Sequence, residues 1–249
     1  MSYSFIHAVR TRTRDANGIE RITALGLRYL LNLPSRPTEH RLNLLTDRSI
    51  AVSPVLVHLH GSASRGHDFG QFFKPHSSAR CDGAHDFILV RPQCPPGKEW
   101  TSPMLHMQLV GLLDELSRTL PIDSARVALS GASMGGDGVW ALGASMPRRF
   151  KALVPICAGA NLAAAAALQH VPIWCWHGIH DMVYPVDGAD AMCAALKRVG
   201  NSRVRFTRLE HCVTPSTSPH AEAHAAWLEA LHEDSELWSW LREQLMAPR

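Results

Sequence analysis

The sequence predicts an α/β protein, with a mostly parallel central sheet, helices on both faces and an antiparallel hairpin at the N-terminal edge. Three observations carry this. Short continuous apolar runs at 52–60, 87–90, 126–129, 152–157 and 173–177 read as strands buried on both faces. Stretches with helical spacing alternate with them, as parallel strands joined by crossovers require. Residues able to do chemistry follow directly after several strands, at the carboxyl ends where open α/β sheets gather their sites.

Taken in order, residues 4–9 and 24–32 read as strands, and Asn17-Gly18 supplies a hairpin turn between them. Residues 34–51 hold two prolines among many polar residues and read as a surface loop. The strand at 52–60 ends at Gly61, and the one at 87–90 is stopped by Pro92. Leu105, Leu109, Leu112, Leu113 and Leu116 give residues 103–120 a helical period that Pro121 ends. Val139, Trp140, Leu142 and Met146 mark a second helix after the strand at 126–129. Strands at 152–157 and 173–177, a helix at 187–199, a strand at 203–209 and helical segments over 221–246 complete the chain.

Composition excludes several classes. A chain of 249 residues fits one large α/β domain with a sizeable core, and composition shifts nowhere along it. The net charge of +3 is slight, and apart from Arg10, Arg12 and Arg14 the basic residues are scattered. Nucleic acid and anionic membrane are therefore not expected as partners. No apolar run approaches a membrane span, and residues 1–14 lack the basic-then-apolar pattern of a signal peptide. Cysteines 81, 94, 157, 175, 193 and 212 form no C-x-x-C pair, so reduced thiols in a cytoplasmic protein are expected.

The chemistry centres on Gly131-Ala132-Ser133-Met134-Gly135, a G-x-S-x-G pentapeptide between the strand at 126–129 and a helix. Alone it is weak, since roughly 0.1 such matches arise by chance in a chain of this length. Its strand–turn–helix setting raises it to a candidate nucleophile elbow, in which a strained backbone exposes the Ser133 hydroxyl. A serine nucleophile needs a base, and the base an orienting carboxylate, here in the chain order Ser, acid, His. Asp181 follows the strand at 173–177, whereas Asp187 and Asp190 lie where helix capping accounts for them. For the base, His211, His220, His224 and His232 all remain open on position alone.

The segment His60-Gly61-Ser62-Ala63-Ser64-Arg65-Gly66-His67-Asp68 resembles the H-G-x-x-x-R-G-x-D oxyanion loop of certain α/β-hydrolase esterases. These form the phospholipase/carboxylesterase and polyhydroxybutyrate-depolymerase-like group, also described as predicted peptidases. Arg91-Pro-Gln-Cys-Pro-Pro-Gly-Lys-Glu-Trp100, the elbow, Arg149-Phe150 through Cys157, His177-Gly-Ile-His-Asp181 and His224-Ala-Ala-Trp227 are similar to that group's segments, in its order. The resemblance covers most of residues 24–243. Three departures stand out. Asp137 replaces a usual aromatic residue, the loop from Cys212 to Ala223 is long, and one extra residue separates Trp227 from Trp240.

The resemblance implies an α/β-hydrolase fold and a serine hydrolase of carboxylic esters, using Ser133 as nucleophile, His224 as base and Asp181 as its orienting acid. Backbone N–H groups of Ser62 and Met134 would form the oxyanion hole. Trp100 and Asp137 are candidates for the acyl or leaving-group pocket, with a packed aromatic lid as the other reading of Trp100. No metal and no cofactor is called for, and a small-molecule ester is the expected partner. A peptidase or amidase with the same triad is the alternative within this class. A metal hydrolase is a second class, suggested by His58-x-His60, His67-Asp68, His177-x-x-His180-Asp181 and His220-x-x-x-His224. A non-catalytic binding protein on the same scaffold is a third.

Overall fold

A computed structural model of the chain describes residues 14–15, 18–34, 53–120, 122–212 and 224–247. Nine strands make one sheet: β1 (Arg14–Asp15), β2 (Gly18–Ile22), β3 (Arg28–Asn32), β4 (Ser53–Leu59), β5 (Ile88–Pro92), β6 (Ile122–Ala132), β7 (Ala152–Ile156), β8 (Ile173–Gly178) and β9 (Val204–Leu209). Their spatial order is β1-β2-β3-β5-β4-β6-β7-β8-β9. From β5 to β9 every neighbouring pair is parallel, while β1, β2 and β3 form an antiparallel edge joined to β5. The predicted sheet is thus present, and β6 is longer than its apolar run at 126–129.

The hairpin differs from expectation in detail. Residues 4–9 lie outside the described residues. The strand expected over 24–32 starts only at Arg28, because residues 23–27 form the β2–β3 turn. Thr23 N–H bonds the Leu27 carbonyl at 2.9 Å, the Thr23 hydroxyl accepts the Leu27 N–H at 3.0 Å, and Gly26 takes φ +81. Gly18 instead pairs with Asp15 of β1, and Asn17 lies outside the described residues.

Alternate side chains of the buried strands feed two cores, one on each face. On one face Val55, Val57, Leu129, Leu153 and Ile173 pack against α1 (Pro103–Thr119), α2 (Met134–Ser145) and α3 (Val186–Arg198). On the other, Leu56, Ala128, Val154, Trp174 and Trp176 meet the short α4 (Trp227–Ala230) and α5 (Leu237–Met246). The leucine stripe of α1 is wholly buried, and each such side chain contributes about 1.5–3 kcal/mol. No helix among the described residues is long and apolar enough to cross a membrane.

Register sets the site. Leu59 of β4 lies beside Gly131 of β6, and Ala132 of β6 beside Ile156 of β7. The three strands therefore end level, and the segments that leave them at Gly61, Ser133 and Cys157 start side by side.

Candidate active site

Ser133 joins β6 to α2 with φ +55 and ψ −124, a conformation that side chains other than glycine rarely adopt. The turn is held by Ser133 N–H to the Ile156 carbonyl at 2.9 Å and Gly136 N–H to the Ser133 carbonyl at 2.7 Å. The flanking glycines are required by close approach. A Cβ on Gly131 would lie 2.3 Å from the Gly135 carbonyl oxygen, and one on Gly135 would lie 1.9 Å from that of Leu59.

Ser133 Oγ is 2.9 Å from His224 Nε2, and His224 Nδ1 is 2.7 Å from Asp181 Oδ2. An ionised carboxylate only accepts, so Nδ1 carries the proton and Nε2 is left to receive the serine O–H. Asp181 sits between β8 and α3 with its side chain fully buried. Burial alone would raise its pKa. Hydrogen bonds from His177, His224 and the Tyr184 backbone overcome this and hold the carboxyl well below the usual range.

Among the other histidines offered by the sequence, His211 is exposed just past β9 and has no hydrogen bond to Ser133 or Asp181. His232 is exposed and faces Asp234, and His220 lies outside the described residues. Asp187 stands in the first turn of α3, and Asp190 pairs with Arg208.

Ser62 and Met134 are the first residues of a 3-10 turn (Ser62–Ser64) and of α2. First-turn amides have no acceptor within their own helix. The two segments are in close approach, since a Cβ on Gly61 would sit 3.4 Å from Ser133 Cβ.

The structure shows the surroundings of the two pocket candidates. Trp100 is 0% exposed, with its indole N–H on the His60 carbonyl at 2.9 Å and its ring edge-on to His60. It packs behind the segment that follows β4, and α2 admits it over Gly138, where a Cβ would lie 2.4 Å from Trp100 Cβ. Asp137 has both oxygens engaged, one by the Gly159 N–H at 2.8 Å and one by the Tyr184 hydroxyl at 2.6 Å. It anchors a neighbouring loop, and a carboxylate so occupied offers little to a substrate.

The histidine pair at the end of β4 is committed elsewhere than to a metal. His58 Nε2 donates to the Ser78 carbonyl at 2.7 Å, and Nδ1 accepts from the Ser130 hydroxyl at 2.7 Å. His60 Nδ1 donates to the Gly61 carbonyl at 2.6 Å, and Nε2 accepts the Cys94 N–H at 3.0 Å. All four nitrogens are used. One His/Cys/Asp/Glu group of metal-binding dimensions exists among the described residues, Cys157, Asp181 and His224. Both His224 nitrogens are already bonded, and burial holds the Cys157 thiol well above its ordinary range.

Burial lowers His58 and His60 to about 4, whereas an unfolded histidine titrates near 6.5. Between those values the unfolded chain binds protons that the folded one refuses. Stability is therefore complete above about pH 6.5 and falls as pH drops toward 4, by up to about 1.4 kcal/mol per pH unit for each ring. Asp181 acts in the same direction at the acid end, since its stabilisation starts to be lost once the unfolded carboxyl takes up a proton near pH 4. Urea midpoints should fall steadily from pH 6.5 to 4.5, and a flat series overturns this assignment.

Tyr184 is not singled out in the sequence, and His177 is weighed there as a metal ligand and not as a partner of Asp181. The Tyr184 N–H donates to Asp181 Oδ1 at 2.9 Å, and its carbonyl accepts from His177 Nε2 at 2.7 Å. Its ring lies 5.7 Å from the His224 ring, and its hydroxyl grips Asp137. Burial and that carboxylate push the phenol pKa up, so it stays a donor. The signal in the sequence was Asp137 itself, because a carboxylate in place of an aromatic residue needs a partner. Tyr184→Phe should lower kcat about tenfold with a smaller change in KM, since it loosens the imidazole's surroundings without touching substrate. Equal kcat in steady-state assays would refute this.

A scan against family models finds no match for this chain, and neither does a search of curated proteins. Solved structures do match. A thermostable esterase is 24% identical with a TM-score of 0.68, over 95% of this chain and 62% of its own length. An acylaminoacyl peptidase of Pyrococcus horikoshii is 13% identical with a TM-score of 0.62, over 98% of this chain and 42% of its own. An esterase of Pyrococcus furiosus is 11% identical with a TM-score of 0.57, over 82% and 83%. The chain thus spans less than two thirds of the first two. With the strand order and crossovers above, these likenesses establish that the chain has the α/β-hydrolase fold.

Proposed function

We propose that this chain is a serine hydrolase of carboxylic esters. The observation that carries the reading is the Ser133–His224–Asp181 chain of hydrogen bonds, 2.9 and 2.7 Å, set on a strained turn at the carboxyl end of the sheet. Ser133 Oγ attacks the ester carbonyl as His224 Nε2 takes its proton, and Asp181 stabilises the imidazolium that results. The Ser62 and Met134 amides receive the oxyanion. The alcohol leaves with the proton from His224, and a water activated by the same imidazole releases the acid. No step needs a metal, and the full occupation of the His58 and His60 nitrogens favours that.

Esterases and an acylaminoacyl peptidase share the fold, so an amidase with the same residues is the second reading. None of the six cysteines is in a disulfide, in keeping with a cytoplasmic protein. The test is turnover of chromogenic esters of graded acyl length beside an amide analogue. Ester cleavage at least tenfold above the amide supports the first reading, and the reverse order selects the second.

A further inference from the structure

One wall of the candidate site is built with unusual care. A cleft of about 510 Å3 opens at Ser133 and His224, and the segment 74–78 forms its side. Nearly every residue of that segment is tied through its backbone or hydroxyl. Ser77 N–H bonds the Lys74 carbonyl at 3.1 Å, and the Trp227 indole N–H holds the His76 carbonyl at 3.1 Å. The Ser78 hydroxyl takes the Gly61 N–H at 2.8 Å, and the Ser78 carbonyl takes the His58 ring. His76 is kept at φ +62, a conformation that a histidine adopts only under such constraint.

The two basic side chains on this pinned segment are the exception. Among the described residues, neither the Lys74 ammonium nor the His76 ring has a hydrogen bond or an ion pair, and both line the cleft. No carboxylate is among the described residues that line it. The rest of the lining is largely polar, with Ser62, Gln71 and Ser77 set against Val183 and Trp227. The Asp137 and Glu99 carboxylates act instead on Tyr184, which is not among the described residues that line this cleft. A negative group on a bound molecule is thus attracted to the Lys74 side of the cleft.

We propose that the cleft takes esters bearing an anionic group, a carboxylate in the simplest case, which Lys74 and His76 receive while the ester carbonyl lies at Ser133. This rests on the serine-hydrolase reading and adds its substrate class. Its physical basis is preorganisation, since the strained segment is ordered before any ligand arrives.

The probes are two matched pairs, mono(4-nitrophenyl) adipate against its methyl ester, and 4-acetoxybenzoate against its methyl ester. They place the charge on the acyl and on the alcohol side respectively. The readout is the ratio of kcat/KM, charged over neutral, within each pair at low salt. In at least one pair the ratio should exceed its value in Lys74→Gln by about fivefold, the upper end for a partly exposed charge pair. It should be retained in Lys74→Arg and shrink in 0.5 M salt, as screening requires. Ratios that match between the native protein and Lys74→Gln in both pairs overturn the proposal. If no ester is turned over at all, the hydrolase reading itself fails. The cradle is then judged by adipate quenching of tryptophan fluorescence, expected in the native protein and lost in Lys74→Gln, and overturned if absent from both.

Discussion

Ser133→Ala is expected to abolish labelling by a fluorophosphonate and to cut kcat/KM for any cleaved ester by about 10^4- to 10^6-fold. The size follows from what is lost. The nucleophile disappears, and His224 Nε2, now 2.9 Å from nothing it can deprotonate, has no other task in the reaction. Alanine keeps the same backbone at φ +55 and removes one oxygen, so stability should stay within about 1 kcal/mol. Mass spectrometry of the labelled native protein should find a single adduct, at Ser133. An adduct on another serine, or turnover surviving in the alanine variant, defeats the hydrolase reading.

His224→Ala should lose nearly as much, and the double variant Ser133→Ala/His224→Ala little more than either, because the residues of such a unit are not additive. Asp181→Asn should cost about 10^4-fold, since an amide can donate to Nδ1 and so select the wrong tautomer. His211→Ala serves as the contrast. His211 is exposed beyond β9, and its loss should leave turnover within about twofold. Additive losses in the double variant, or a large loss on replacing His211, would show that another imidazole does the work. Asp181 stays charged as the medium is acidified, because its carboxyl is held so low.

Local pattern made the elbow, the buried strands and the leucine stripe of α1 readable, because each depends on residues adjacent in the chain or one helical turn apart. The β2–β3 turn was missed for a related reason. Thr23 and Leu27 close it through one side-chain bond, and neither residue is a usual turn former. The assignments of Trp100 and Asp137 rest on contacts 40 and 47 residues away, with His60 and Tyr184, and no periodicity carries such information. Asp137 was visible as an oddity. Its partner was legible only once α2 and the β8–α3 loop lay side by side.

The closeness of Gly135 to the Leu59 carbonyl has a consequence for how this protein can change. The turn that holds Ser133 and the strand that leads to Gly61 and Ser62 abut with no room for a single carbon between them. Neither can drift without carrying the other, so on the proposed reading attack and charge stabilisation vary as one inherited block. Variation has freer play at the rim, in the basic 74–78 segment and at Val183 and Tyr184. A lineage descending from this sequence could exchange its substrate many times there while leaving the reaction itself untouched.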